Sequence, residues 1–282
     1  MSYDTAGALR RAIEQRLVTQ SERTGMSLER LRRRVVFERV VARLQAGDPG
    51  IWVVKGGMAL EVRLADEARL TKDLDLGLRA PVEAAEELQE RLTGLLAADP
   101  HGDRFVISVN VPSRLAPDDG GHVTWRVRAE ARLDGREFGR LQLDVSPREH
   151  ELVATEMLPI ANALSFAGIP DTIAEVVDAN RHAAEKYHAM QRTFDDRENT
   201  RVRDLVDVML MVEHGLIDQR RLRRALHDVW HEREGGPPGA FVAPPTSWTQ
   251  RFEQMAEAHG IETTAFDAAL RVVADLWNSV ID

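Results

Sequence analysis

The stretch that decides the fold runs from residue 51 to residue 78: IWVVKGGMALEVRLADEARLTKDLDLGL. Ile51-Trp52-Val53-Val54 is a short β-rich run, and Leu74 to Leu78 is a second one. Between them, Gly56 and Gly57 follow the first strand directly and open a short helix over 58–64. Glycines at such a junction let backbone N–H groups approach an anion, and a helix N-terminus favours negative charge. A tight turn explains the same pair equally well. Asp73 and Asp75 lie two apart on the second strand, so both carboxylates point to one face.

Downstream, the spacing predicts strands over 104–111, 122–133 and 137–146. Val123, Trp125, Val127 and Ala129 alternate with Thr124, Arg126, Arg128 and Glu130, the pattern of a half-buried strand. Asp134-Gly135 is a two-residue hairpin signal between the last two strands. On the final strand Leu141, Leu143 and Val145 share an apolar face, so Asp144 points away from it. Two carboxylates on one strand and a third on a neighbour suit Mg²⁺, which takes oxygen ligands. In phosphoryl chemistry a pair of such ions clamps the attacking and leaving oxygens. Asp73, Asp75 and Asp144 are therefore the metal candidates, and Gly56-Gly57 the phosphate cradle.

Upstream, Leu28, Leu31, Val35, Val36, Val40, Val41 and Leu44 recur at helical spacing after the cap Ser27. Arg30, Arg33, Arg34, Arg39 and Arg43 fall largely on the opposite face. An Ala/Glu/Leu helix is predicted over 82–98, with Pro81 in its first turn. From about 150 the period changes, and helices are predicted over 153–164, 172–192, 199–214, 218–233, 248–259 and 263–280. Residues 234–247 hold four prolines and three glycines and read as a loop. The expected layout is an α/β half over 1–150 followed by an all-helical half over 151–282.

Composition narrows the chemistry. The 282 residues contain no cysteine, which excludes disulfides, thiolate zinc sites and cysteine nucleophiles and fits a cytoplasmic chain. No apolar run reaches the length of a membrane helix, and the N-terminal residues lack a secretory h-region. The net charge of −9 excludes a basic field over the whole chain, although residues 1–50 carry ten arginines against six acids. The arginines at 30, 32, 33 and 34 and at 220, 221, 223 and 224 are solvated faces, or phosphate contacts if the substrate is RNA. The histidine pair His227 and His231 is not a metalloprotease motif and reads as solvated.

The order strand, Gly-Gly, helix, Asp-x-Asp resembles the nucleotidyltransferase toxins of the AbiEii/AbiGii type, which include the mycobacterial MenT proteins. That family belongs to the DNA polymerase β-like nucleotidyltransferase superfamily. The resemblance rests on Lys55-Gly56-Gly57-Met58-Ala59-Leu60 and Thr71-Lys72-Asp73-Leu74-Asp75-Leu76. It extends to Glu185-Lys186-Tyr187-His188-Ala189 and Arg203-Asp204-Leu205-Val206-Asp207. The fold it implies is a polymerase β-like domain with a mixed twisted sheet, followed by an all-helical C-terminal domain. The activity it implies is transfer of NMP from an NTP to an acceptor hydroxyl with Mg²⁺. Characterised members act on tRNA 3′ ends, block translation and are paired with an antitoxin. Nucleotidylation of a protein or small molecule, and a catalytically inactive nucleotide-binding partner protein, are the alternative readings.

Residue by residue, the resemblance assigns the metal to Asp73 and Asp75 and the triphosphate to Gly56, Gly57 and Lys186. The second glycine stands where the superfamily often has serine, so a hydroxyl contact to phosphate is lost. Asp144 sits where the superfamily has its third carboxylate, a position that varies in this branch. Asp204 is the expected active-site member of the late motif, activating the acceptor or orienting Lys186. Asp207 shares its helical face and could equally pair with Arg203 at i+4. If all these residues serve one site, that site is a cleft between the two halves, with Lys186 opposite the glycine turn. Thr71, two residues before Asp73, is a candidate for phosphorylation, which would repel the triphosphate; a plain turn hydroxyl is the alternative.

Overall fold

Two long helices, α1 (Ala6–Thr24) and α2 (Leu28–Gly47), open the computed structural model, which describes residues 3–69, 71–116, 122–194 and 197–281. Thr5 and Ser27 cap them, each side-chain oxygen accepting from a backbone N–H three residues on. Then follow β1 (Trp52–Lys55), α3 (Gly56–Leu64), β2 (Asp73–Leu78), α4 (Ala85–Ala97), β3 (Val106–Val109) and β4 (Ser113–Arg114). The long hairpin β5 (Trp125–Leu133) and β6 (Arg136–Ser146) comes next, then β7 (Thr155–Pro159) and β8 (Ile173–Val177). The chain ends in α5 (Ala179–Gln191), α6 (Val202–Glu213), α7 (Gln219–Glu234), α8 (Thr249–Ala258) and α9 (Phe266–Ile281).

Among the described residues the strands form one mixed sheet in the order β3-β5-β6-β2-β1-β8-β7, with β4 on β5. β2 runs parallel to β6, and β1 parallel to β8, while the hairpin and the β1–β2 pair are antiparallel. The hairpin turns on Asp134 and Gly135, both at positive φ, as a type I′ turn requires. Alternation then sends Trp125, Val127, Ala129, Ala131 and Leu133 into the core with Leu141, Leu143 and Val145. Leu74, Leu76 and Leu78 of β2 join them.

Contacts divide the chain into Met1–Ala65 with Leu70–Val176, and Asp66–Arg69 with Val177–Asp282. The helical half therefore begins after the sheet's last strand rather than near 150. The helix expected over 153–164 is absent: those residues hold the edge strand β7, and 3-10 turns flank it at Glu149–Leu152 and Ser165–Ala167. Pro159 would remove a hydrogen bond inside a helix, but it is tolerated on an edge strand. The helix expected over 172–192 starts only at Ala179, because β-branched Ile173, Val176 and Val177 form β8 and Asp178 caps α5. Pro81 likewise lies outside α4.

The arginine-rich helix α2 also departs from expectation. Arg39 and Arg43 are fully buried, not solvated. Arg43 donates to both carboxylate oxygens of Asp103 at 2.7 Å, and Arg39 pairs with Glu38. Burial raises the Glu38 carboxyl to about 7 against the opposing pull of Arg39. Arg30 and Arg34 engage Glu61, Arg32 engages Glu14, and Arg33 engages Glu29. Glu61 and Asp103, which lie beyond residue 50, thus offset part of the basic excess of the first fifty residues. No described helix is long and apolar enough to cross a membrane.

Candidate active site

The face of the sheet opposite its core is polar, and the register aligns it. Lys55, Asp75, Asp144 and Arg126 are successive Cα partners across β1, β2, β6 and β5. Paired residues share a face, so four charged side chains of order +, −, −, + stand in one row. One pleat away, Asp73 partners Gln142 and Gln142 partners Arg128. Asp73 and Asp75 are both half-buried. The expectation that they point to one face therefore describes the structure.

Gly56 lies against this row. Its φ of +58° falls in the left-handed region, and an added Cβ would sit 2.7 Å from the Asp75 Cγ. Only glycine lets the chain enter α3 while passing this close to the carboxylate. Gly57 is buried in the first turn of the same helix. At the end of the row, Lys55 Nζ donates to Glu151 at 2.7 Å. The Thr71 hydroxyl donates to the Asp73 carbonyl at 3.4 Å.

Asp144, expected as a third metal ligand, is engaged differently. Arg126 Nε donates to its Oδ1 at 2.9 Å and Nη2 to its Oδ2 at 2.7 Å. The hydrogen-bonded Asp144 carboxylate raises the guanidinium's pKa, with the charges of Asp73 and Asp75 adding to the effect. No group of three or more metal-ligating side chains stands ready among the described residues. Asp73 and Asp75 fit one hard divalent cation: two oxygen donors on one face, beside a glycine that keeps the space open.

The second unit carries its own cluster. Lys186 on α5 reaches Asp204 Oδ1 at 2.7 Å and Asp207 Oδ2 at 2.9 Å, both on α6. Arg69 donates to Asp207 through Nε at 2.5 Å and Nη2 at 2.9 Å. The alternative Arg203–Asp207 pair does not form, since Arg203 is exposed and Asp207 is wholly buried. Burial opposes the charge on Lys186, but Asp204 and Asp207 outweigh it and raise its pKa. Asp207 is likewise pushed up by burial yet drawn down to about 2 by Lys186 and Arg69. Asp204 keeps one buried oxygen, Oδ2, without a hydrogen-bond partner. His182 and His188 on α5 are buried as well.

A sequence profile described as "Nucleotidyl transferase AbiEii toxin, Type IV TA system" matches residues 39–273, which spans both clusters. The chain belongs to the AbiEii nucleotidyltransferase toxin family. Among solved structures it is similar to MenT4, a nucleotidyltransferase toxin from Mycobacterium tuberculosis H37Rv. The TM-score is 0.59 at 17% identity, covering 97% of this chain and 89% of that one, so the likeness is one of fold. An antigenic nucleotidyltransferase-like protein from Paracoccidioides brasiliensis matches with TM-score 0.40 at 16% identity, over 72% of this chain and 89% of that one. No curated protein matches. The family places this AbiEii chain in a toxin–antitoxin system as a nucleotidyltransferase, with an antitoxin as its partner.

Three charged residues of these clusters were not singled out from the sequence. Arg126 stood in a visible strand alternation, but only the register sets it against Asp144. Lys55 opens the quoted glycine motif but was given no role there, and Arg69 lies outside the quoted motifs. The close approach at Gly56 gives a sharp expectation for this AbiEii protein. Gly56→Ala strains a left-handed residue and displaces the Asp75 carboxylate, and nucleotidyl transfer should fall by about a hundredfold. Gly94→Ala on α4 meets open space and should leave the rate unchanged, so initial rates of the two variants check the point.

Proposed function

We propose that this protein transfers NMP from an NTP to the 3′ end of tRNA, releases pyrophosphate, and so blocks translation in the cytoplasm until its antitoxin restrains it. The observation that carries the reading is the Asp73–Asp75 pair on one sheet face, with Gly56 pressed against it. Asp73 and Asp75 would hold Mg²⁺, whose charge neutralises the transferring phosphate and raises the nucleophilicity of the acceptor. Gly56 and Gly57 cradle the triphosphate with backbone N–H groups at the start of α3. Lys186, kept protonated by Asp204 and Asp207, adds positive charge for the triphosphate. The unpartnered Oδ2 of Asp204 supports a role toward the acceptor hydroxyl as base or anchor.

Expression of the protein without its antitoxin, followed by analysis of tRNA 3′ ends, tests this reading. Growth arrest with nucleotides added to tRNA, both relieved by Asp75→Ala, is the expected outcome. Arrest with unmodified tRNA would redirect the reading to a protein or small-molecule acceptor.

Binding of tRNA also has a candidate surface. Arg220, Arg223 and Arg224 are exposed on α7 and have no carboxylate partner among the described residues, whereas Arg221 pairs with Asp178. Reversing all three to Glu should weaken tRNA binding at least about tenfold and flatten its logarithmic salt dependence by about two. Titrations at several salt concentrations measure both. An unchanged slope would remove α7 from the RNA face.

A further inference from the structure

The third carboxylate of the polar face is occupied by a side chain. Both Asp144 oxygens accept from Arg126, in the side-on fork that a guanidinium makes with a carboxylate. Asp144 is only 12% exposed, whereas Arg126 is 37% exposed, so the anion is covered and the cation faces outward. Arg126 Nη1 has no hydrogen-bond partner among the described residues. In the register, Asp144 stands directly between Arg126 and Asp75. A divalent ion ligated by Asp144 would have to displace a bidentate guanidinium or share the carboxylate with it, and two cations there repel each other.

We infer that Arg126 is a triphosphate-binding residue, a fixed cation of this face, and that Asp144 is its positioning residue rather than a metal ligand. The inference rests on the nucleotidyltransferase reading and specifies the ligands within it. Asp73 and Asp75 serve the metal, and Arg126 takes phosphate oxygens of the NTP through its outward N–H groups. Arginine suits the task because it is always charged, and its planar fork can hold one anion while the remaining donors serve another. The bidentate anchor removes the flexibility a surface arginine would otherwise lose on binding phosphate.

The test uses the full chain, with Mn²⁺ alone as the metal probe and a non-hydrolysable NTP as the nucleotide probe. Both affinities are measured by calorimetry for wild type, Arg126→Gln, Arg126→Lys, Asp144→Asn and Asp75→Asn. Steady-state KM and kcat with NTP are measured alongside. Arg126→Gln and Asp144→Asn should each weaken nucleotide binding and raise KM about tenfold or more, as expected for a lost charge-assisted contact. Mn²⁺ affinity should stay at the wild-type value in Asp144→Asn and fall in Asp75→Asn. Arg126→Lys should recover part of the nucleotide affinity, which a merely structural pair would not show. The double variant Arg126→Gln/Asp144→Asn should be no worse than Arg126→Gln alone. If Asp144→Asn loses Mn²⁺ as Asp75→Asn does, Asp144 is a metal ligand and the inference is overturned. If neither Arg126→Gln nor Asp144→Asn alters nucleotide affinity, the pair only braces the sheet. A wild-type protein that binds neither probe, and so matches Asp75→Asn, would overturn the nucleotidyltransferase reading as well.

Discussion

Asp75→Ala is expected to leave the chain folded and its nucleotidyl transfer about a thousandfold slower. Asp75 lies mid-strand on β2 and is half-buried. It stands between Lys55 and Asp144 in the charged row, with Gly56 against its carboxylate. Removing it takes away one of the two proposed metal donors and several kcal/mol of charge stabilisation in the transition state, and each ~1.4 kcal/mol is tenfold in rate. The fold should not suffer, because the buried side of β2 is made by Leu74, Leu76 and Leu78. Initial rates at saturating NTP, read beside a calorimetric melting curve, check both halves of the statement. A variant as active as wild type contradicts the assignment of the face. Asp75→Asn, of the same shape, should match Asp75→Ala in rate.

The largest effect on stability is expected from Asp207. It is completely buried and answers two cations, Arg69 and Lys186. Asp207→Asn leaves both without that charge, a change that typically costs about 3–5 kcal/mol, although Asp204 still serves Lys186. The effect depends on pH with a definite sign. The folded carboxyl of Asp207 is held down to about 2, below its unfolded value near 3.8. Its contribution is therefore complete above about pH 4 and is lost as pH falls toward 2. Urea unfolding at pH 7 and pH 3 should show the gap between wild type and Asp207→Asn narrowing at the lower pH. A gap of constant size would mean that the carboxylate's charge is not what holds the cluster.

The order of elements around 51–78 was legible because it needs only local rules. β-rich runs, a glycine pair and period-two acids determine strand, turn, helix and strand without reference to the rest of the chain. The hairpin was legible too, from Asp134-Gly135. What the sequence hid is the register of its far end. A bulge near Ala131 and Arg132 lets Leu133 face Arg136 yet sets Arg126 against Asp144. Without that bulge the same hairpin would set Arg126 against Leu143, on the apolar face. Strands β7 and β8 were hidden for a different reason. Their apolar spacing fits either period, and the choice was made by edge placement and by the cap at Asp178. The arginines of α2 misled because helical periodicity assumes one buried face, whereas this helix is buried on several. Arg69 could not be foreseen as a partner of Asp207, since the two are joined only by tertiary structure across 138 positions.

The central claim is that the Asp73–Asp75 face carries out nucleotidyl transfer. The most direct test supplies the purified protein with Mg²⁺, total tRNA and NTPs radiolabelled at either the α- or the γ-phosphate. The account predicts that only the α-label becomes attached to RNA, that the γ-label leaves in pyrophosphate, and that Asp75→Ala abolishes the attachment. Attachment of the γ-label would mean phosphoryl rather than nucleotidyl transfer. Absence of label from every NTP on any acceptor would contradict the account as a whole.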